Sequence, residues 1–225
     1  MKLANPKNPV MASWLRDQGF RLDAPPFLSG AIEARKLLEQ LPVEKEPLAS
    51  LTQGEVGIFH AGRIKRNWVT DLEYGVPFLS STDILQADLS RPSLISKRVV
   101  VENPLLTIRK DWSLITRSGS IGRMAYARPD MDGMACSEDV LRVVPDLDRI
   151  PPGYLYAFLS SKFGVPLVVG GTYGAIIQHI EPHHIANLPV LALVRKLRRE
   201  RTNLCRRRLN SGQKQPRYVP RHSLL

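Results

Sequence analysis

The chain has 225 residues, 43% hydrophobic and 24% charged, with a net charge of +11. This is ordinary globular composition, which excludes a fibrous repeat or disorder throughout. Eleven of the 32 Lys and Arg, but only one of the 21 Asp and Glu, fall in residues 195–225, so that tail carries +10 and the remainder +1. The basic character is therefore a property of the tail and says little about what the body binds. Two cysteines, Cys136 and Cys205, are too few for a disulfide framework and point to a reducing compartment. The opening MKLANPKNPVMASW has no apolar secretory core. The longest apolar stretch, 163–177, is broken by Pro166 and by glycines at 164, 170, 171 and 174. It falls short of the roughly 20 apolar residues of a spanning helix. The expectation is a soluble cytoplasmic protein with no membrane partner.

In chain order, residues 1–27 are rich in Pro, Asn and Lys and read as an irregular lead-in. Beyond Ser29, a candidate cap, Ala31, Ala34, Leu38 and Leu41 recur at helical spacing until Pro42. Short β-prone runs follow: EVGIF (55–59), VPFL (76–79), KRVVV (97–101), WSLIT (112–116), MAYA (124–127) and VLRVV (140–144). Turn residues separate them, among them His60-Ala61-Gly62, Tyr74-Gly75 and Ser118-Gly119-Ser120. Pro151-Pro152 opens a second helix that Gly164 closes, with Leu155, Leu159 and Phe163 on one stripe. Residues 165–194 then return to strand and turn. Strands outnumber helices without alternating with them, which predicts an α+β fold: a curved mixed β-sheet with a few peripheral helices. The expected organisation is a lead-in over 1–27, a domain over 28–194 and a basic, disordered tail over 195–225.

Catalytic patterns are absent. There is no GxxxxGK[ST] loop, no GxGxxG between strand and helix, and no HExxH. His183 and His184 are adjacent, so on a regular element they diverge and make poor joint metal ligands. Pro129-Asp130 and Pro145-Asp146 lack a downstream acid-x-Lys, and Asn103-Pro104-Leu105-Leu106 only superficially echoes an amino-methyltransferase motif. The residues describe a binding module with no metal site and no catalytic residues.

Four segments carry polar chemistry at turns. In Trp112–Tyr126, WSLITRSGSIGRMAY, a strand runs through Arg117, Ser118, Ser120 and Arg123 into another strand. Two glycines there allow positive φ and close backbone approach, and two guanidinium groups could grip phosphate. Arg63, Lys65, Arg66 and Asn67 precede Trp68, placing three cations and an amide beside an aromatic. Ser81 and Thr82 follow a strand end and could meet base edges. Thr172 and Tyr173 lie in a Gly-rich stretch before Gln178, an amide able to pair with adenine. Each also has a plainer reading, in order: a hairpin turn, a solvated loop, a helix cap, and a turn between strands.

In this order the segments resemble the target-recognition half of the specificity subunits of type I restriction–modification systems. The resemblance is carried by RLDAPPFLSGAIEARKLLEQLP (21–42), AGRIKRNWVTDLEYGVPFLSSTDI (61–84), WSLITRSGSIGRMAY (112–126), SEDVLRVVP (137–145), GYLYAFLSSKFG (153–164) and GTYGAIIQHIEPHHIANLPV (171–190). It implies a non-catalytic subunit that reads one half of a split site in double-stranded DNA. Its implied partners are a DNA adenine methyltransferase subunit and a restriction and translocase subunit. S-adenosylmethionine, ATP and Mg would belong to those partners, leaving this chain with no cofactor of its own. Under that reading, loop position and side-chain chemistry alone assign Arg63, Lys65, Arg66 and Arg123 to the DNA backbone, with Ser81, Thr82, Arg117, Ser120, Tyr173 and Gln178 as groove candidates.

The chain departs from that pattern in two ways. It has a single recognition domain, and after Leu188-Pro189 it runs into a non-periodic basic tail where the family has a long spacer helix. A frameshift or truncation before that helix is the expected origin. The missing helix undermines the half-subunit homodimer that would pair through it, leaving a homodimer only as one possible partner, and puts assembly with the methyltransferase in doubt. Two alternatives remain at this point: a non-functional fragment that binds DNA non-specifically through its tail, and a phosphate-ester enzyme using the RSGSIGR loop.

Overall fold

In the stretch whose composition predicts irregular chain, helical turns occupy Ala12–Asp17 (α1) and Pro25–Leu28 (α2). Pro25 opens α2 because the first helical N–H has no intrahelical acceptor to lose. The structure, a computed structural model, describes residues 12–17, 20, 25–53, 56–172 and 179–192. The expected disorder of the tail lies outside the described residues.

Helix α3 (Ala31–Gln40) follows the predicted spacing, with Ala31, Ala34 and Leu38 buried. Ser29 Oγ accepts the Ala31 N–H at 3.2 Å. Leu41 turns extended ahead of Pro42 and is left outside the helix, on the surface. Next come β1 (Lys45–Pro47), β2 (Ile58–Phe59), β3 (Trp68–Val69), β4 (Gly75–Leu79), β5 (Ser93–Ser96) and helix α4 (Lys97–Glu102). The central strands are β6 (Ser113–Thr116), β7 (Met124–Tyr126), β8 (Ala135–Cys136) and β9 (Val140–Val143). The chain then forms α5 (Pro152–Leu159), α6 (Gly164–Gly170), α7 (Pro182–Ala186) and β10 (Pro189–Leu191).

The α+β class holds, but the strands form three sheets where one curved sheet was expected. Their orders are β1-β10, β2-β9-β6-β7 and β3-β5-β4-β8, and the last is mixed because β4 and β8 run parallel. Two further differences have local causes. KRVVV, expected as a strand, is helical: Val99 is buried in the small-sheet core, and Arg98 bonds Glu102 one turn on at 2.8 Å. Tertiary burial there outweighs the β-preference of three valines. The predicted 152–164 helix divides, because Ser161 Oγ accepts the N–H groups of Phe163 and Gly164 and starts α6. A Cβ at Gly164 would lie 2.2 Å from the Leu159 carbonyl, so only glycine permits so abrupt a restart. Residues 165–170, expected as strand and turn, are consequently helical.

Sheet β2-β9-β6-β7 is covered on both faces, and its strands are accordingly mostly apolar, with Ser113, Thr116 and Arg142 as buried polar exceptions. Ile115, Leu141 and Val143 pack against α3, α5 and α6 on one face. Leu114 and Val140 face the other way, onto Leu79, Ile84, Ile108 and Met131. A smaller core of Phe78, Ile95, Val99, Leu106 and Ala135 lies between sheet β3-β5-β4-β8 and α4.

Candidate nucleic-acid interface

Strand directions gather three of the four segments at one end of the molecule. Strands β2 and β6 are both antiparallel to β9, so they run the same way and release residues 60–67 and 117–123 at the same edge. The turn 137–139, which leads into β9, lies between them. Because β4 is parallel to β8, with Leu79 opposite Cys136, the chain leaves β4 into Ser80–Thr82 beside Ser137. The Ser137 N–H donates to the Leu79 carbonyl at 2.9 Å.

The 117–123 loop is held from inside by Thr116. Its hydroxyl donates to the Ser120 carbonyl at 2.5 Å and accepts the Arg123 N–H at 3.1 Å. Gly119 and Gly122 have φ of 69° and 78°, and a Cβ at Gly122 would sit 2.6 Å from Val169 Cγ2. Glycine at 122 thus meets both a backbone and a packing demand. Ser118 Oγ donates to Asp139 Oδ1 at 2.6 Å, and the Arg117 N–H to the Asp139 carbonyl at 2.9 Å. The Arg117 side chain turns inward, where Nε donates to the Ile180 carbonyl at 3.1 Å and Nη2 to Glu181 Oε1. Ser120 and Arg123 are left exposed on the outer surface.

The 60–67 loop is rooted at His60. Its Nδ1 accepts the Gly62 N–H at 3.1 Å, which leaves Nε2 as the protonated nitrogen, donating to Glu181 Oε2 at 3.2 Å. Burial, and next the Arg117 guanidinium, lower the His60 pKa, with Glu181 opposing, so the ring is neutral at neutral pH. Arg66 donates to Glu138 Oε2 at 3.0 Å and lies over the Phe78 ring. Trp68, half exposed, meets the same ring edge-on, with centroids 5.2 Å apart. Arg63, Lys65 and Asn67 are exposed. Among the described residues, Arg63, Lys65 and Arg123 form no ion pair.

At the end of β4, Ser80 and Asp83 supply the local caps. Ser80 Oγ accepts the N–H groups of Thr82 and Asp83, and Asp83 Oδ2 accepts the Ser80 N–H at 2.9 Å. Ser81 is half-buried and Thr82 exposed. The fourth segment falls only partly within the described residues. Thr172 is fully buried, Ser118 bridges to His179, and Tyr173 and Gln178 lie outside the described residues.

Sequence reasoning passed over several residues that build this edge: His60, Glu138, Asp139, Glu181 and above all Arg142. Arg142 is completely buried in β9. Nη1 donates to the carbonyls of Ser137 and Val140 at 2.9 and 2.6 Å, and Nη2 to those of Cys136 and Leu106 at 2.6 and 3.3 Å. Burial lowers its pKa from the ordinary arginine range. Those four carbonyls stand where a carboxylate would, and they fix the turn from beneath. The available signal was an arginine inside VLRVV, since Arg is almost never fully buried without partners.

No cluster of three or more His, Cys, Asp or Glu suited to a metal occurs among the described residues. Nor is any helix among them long and apolar enough to cross a membrane. The Cys136 thiol is buried, and that burial raises its pKa to about 11.

No protein-family model matches the chain. Over 93 residues it is 30% identical to the type I restriction enzyme EcoBI specificity subunit of Escherichia coli, a stretch covering 40% of this chain and 19% of that protein. The HsdS subunit of Thermoanaerobacter tengcongensis superposes with a TM-score of 0.54 at 13% identity, covering 88% of this chain and 47% of that one. A structure described as the basis of complex assembly and conformational transition of the type I R-M system gives the same TM-score at 12% identity, covering 88% and 47%. The chain thus spans less than half the length of each of these solved chains. The chain has the fold of the type I restriction–modification S subunits and, over 93 residues, a sequence 30% identical to one of them.

Proposed function

We propose that this chain is a non-catalytic target-recognition module that binds double-stranded DNA through the edge formed by residues 60–67, 80–83 and 117–123. In this reading it directs the adenine methylation and restriction carried out by partner subunits. One observation carries the proposal: strands of two different sheets release three polar loops around the single turn 137–139. The similarity to specificity subunits supports the partner class, a DNA methyltransferase subunit and a restriction subunit. S-adenosylmethionine, ATP and Mg are assigned to those partners, and this chain takes no cofactor.

Within the edge, roles divide by where the charge is already neutralised. Arg63, Lys65 and Arg123 are exposed and form no ion pair among the described residues, so phosphate would meet their charge at little desolvation penalty. Ser81, Thr82, Ser120 and Asn67 are short polar groups set beside those cations, suited to base edges and sugars. Arg66 is held by Glu138, and Arg117 by Glu181 and Ile180; their part is to shape the edge, with Arg66 able to reach a phosphate by exchanging partners. Ser118 supports the loop through Asp139. His179 bridges to Ser118; Tyr173 and Gln178 lie outside the described residues, and they and Thr172 remain groove candidates by side-chain chemistry alone.

Binding of mixed-sequence duplex DNA across a salt series tests the phosphate assignment. Replacing Arg63, Lys65 and Arg123 together by Ala is expected to weaken binding evenly across sequences. The salt slope should fall by about one for each phosphate contact removed. An unchanged slope would place the contacts elsewhere, with the basic tail as the leading alternative.

A further inference from the structure

Glu181 lies immediately before α7, remote in sequence from the loops of the edge, yet each carboxylate oxygen holds the root of one of them. Oε1 accepts from Arg117, the first residue of the 117–123 loop. Oε2 accepts from His60, the first residue of the 60–67 loop, at 3.2 Å. The same side chain also accepts the His184 N–H, while the Glu181 N–H donates to His184 Nδ1 at 3.0 Å, closing a capping box on α7. A carboxylate carries only acceptors and here faces donors on every side, which makes the arrangement directional. His60 cannot reverse its part, because its other ring nitrogen is already accepting from Gly62.

We propose that Glu181 is a positioning residue that sets the spacing and orientation of the two DNA-facing loops relative to each other. This rests on the DNA-binding reading of the edge. The consequence is that sequence discrimination depends on a residue that need not touch DNA. Base-edge contacts from Ser120 and Asn67 require both loops in register, whereas phosphate contacts from Arg63, Lys65 and Arg123 tolerate small displacements. Disturbing Glu181 should therefore lower specific binding while leaving non-specific binding in place.

Two substitutions in the full chain separate this from the helix cap. Glu181→Gln keeps size and one acceptor oxygen but presents an NH2 group to a donor, either Arg117 or His60. Glu181→Ser keeps an N-cap hydroxyl for α7 but is too short to reach either loop root. Thermal unfolding establishes that each variant folds. Amide hydrogen exchange then reads the loops without any DNA, and the expected result is faster exchange in 60–67 and 117–123 together. With duplex DNA, the ratio of specific to non-specific affinity is expected to fall about tenfold, the scale of one charge-assisted hydrogen bond. The salt slope should stay unchanged.

Faster exchange in one loop only, or in neither, would overturn the proposal, as would an unchanged affinity ratio in a folded Glu181→Gln variant. If the parent protein selects no sequence at all, the DNA-reading assignment fails, and the exchange data alone decide whether Glu181 couples the loops.

Discussion

Arg142 carries a charge into the protein interior, where its guanidinium donates to four backbone carbonyls and, among the described residues, to no carboxylate. Removing an ion-pair partner from such a site would strand a charge, but removing the arginine itself strands acceptors. An unsatisfied buried polar group costs about 1–3 kcal/mol, and several carbonyls lose a donor at once. Arg142→Met, similar in bulk, is therefore expected to destabilise the protein by about 3 kcal/mol, with the relief of burying no charge offsetting only part of the loss. Urea unfolding would measure it, and a midpoint unchanged from the parent would contradict the clamp. Arg142→Lys should also lose stability, because a single ammonium cannot reproduce the planar fork that reaches both sides of the turn.

Among the elements, helix α4 shows where local preference and tertiary demand part company. Its three valines read as a strand, yet Val99 is buried in the small-sheet core and Val101 is 80% exposed on the opposite side. The helix exists for Val99, so the two positions should respond in opposite directions. Val99→Ala should destabilise by about 2 kcal/mol through lost burial. Val101→Ala should stabilise by about 0.5 kcal/mol, because alanine is the better helix former and nothing packs on the valine. Equal and opposite shifts in unfolding midpoint are not required, but a loss at both positions would contradict the assignment.

The same contrast explains what was legible in the sequence. The Arg117–Arg123 hairpin could be read because its turn chemistry is local, from Gly119, Gly122 and the flanking apolar strands. Helix α3 could be read because Ala31, Ala34 and Leu38 repeat at helical spacing. The strands β3, β5 and β8 could not, since two to four residues give no measurable alternation. Nor could the break between α5 and α6, which depends on one serine hydroxyl. Within the edge, the residues bearing hydroxyls and cations were visible as types. Their supports were not: Glu181 lies 64 residues from Arg117 and 121 from His60. No spacing rule connects residues so far apart, and only the common direction of β2 and β6 brings their loops together.

For the whole molecule, charge is divided between a nearly neutral body and a tail carrying +10. A neutral body releases few counterions, so the proposed recognition edge should bind modestly and gain its value from discrimination. A basic tail behaves in the opposite way, binding any duplex with steep salt dependence. The central claim is that the body reads sequence. The most direct test is selection from randomised duplex DNA at near-physiological salt, with the full chain and a form ending at Leu193 run in parallel, each with and without a methyltransferase subunit of the related systems. The account predicts that both forms enrich the same short half-site. Binding by the full chain alone, with no preferred sequence and a steep loss with salt, would contradict it.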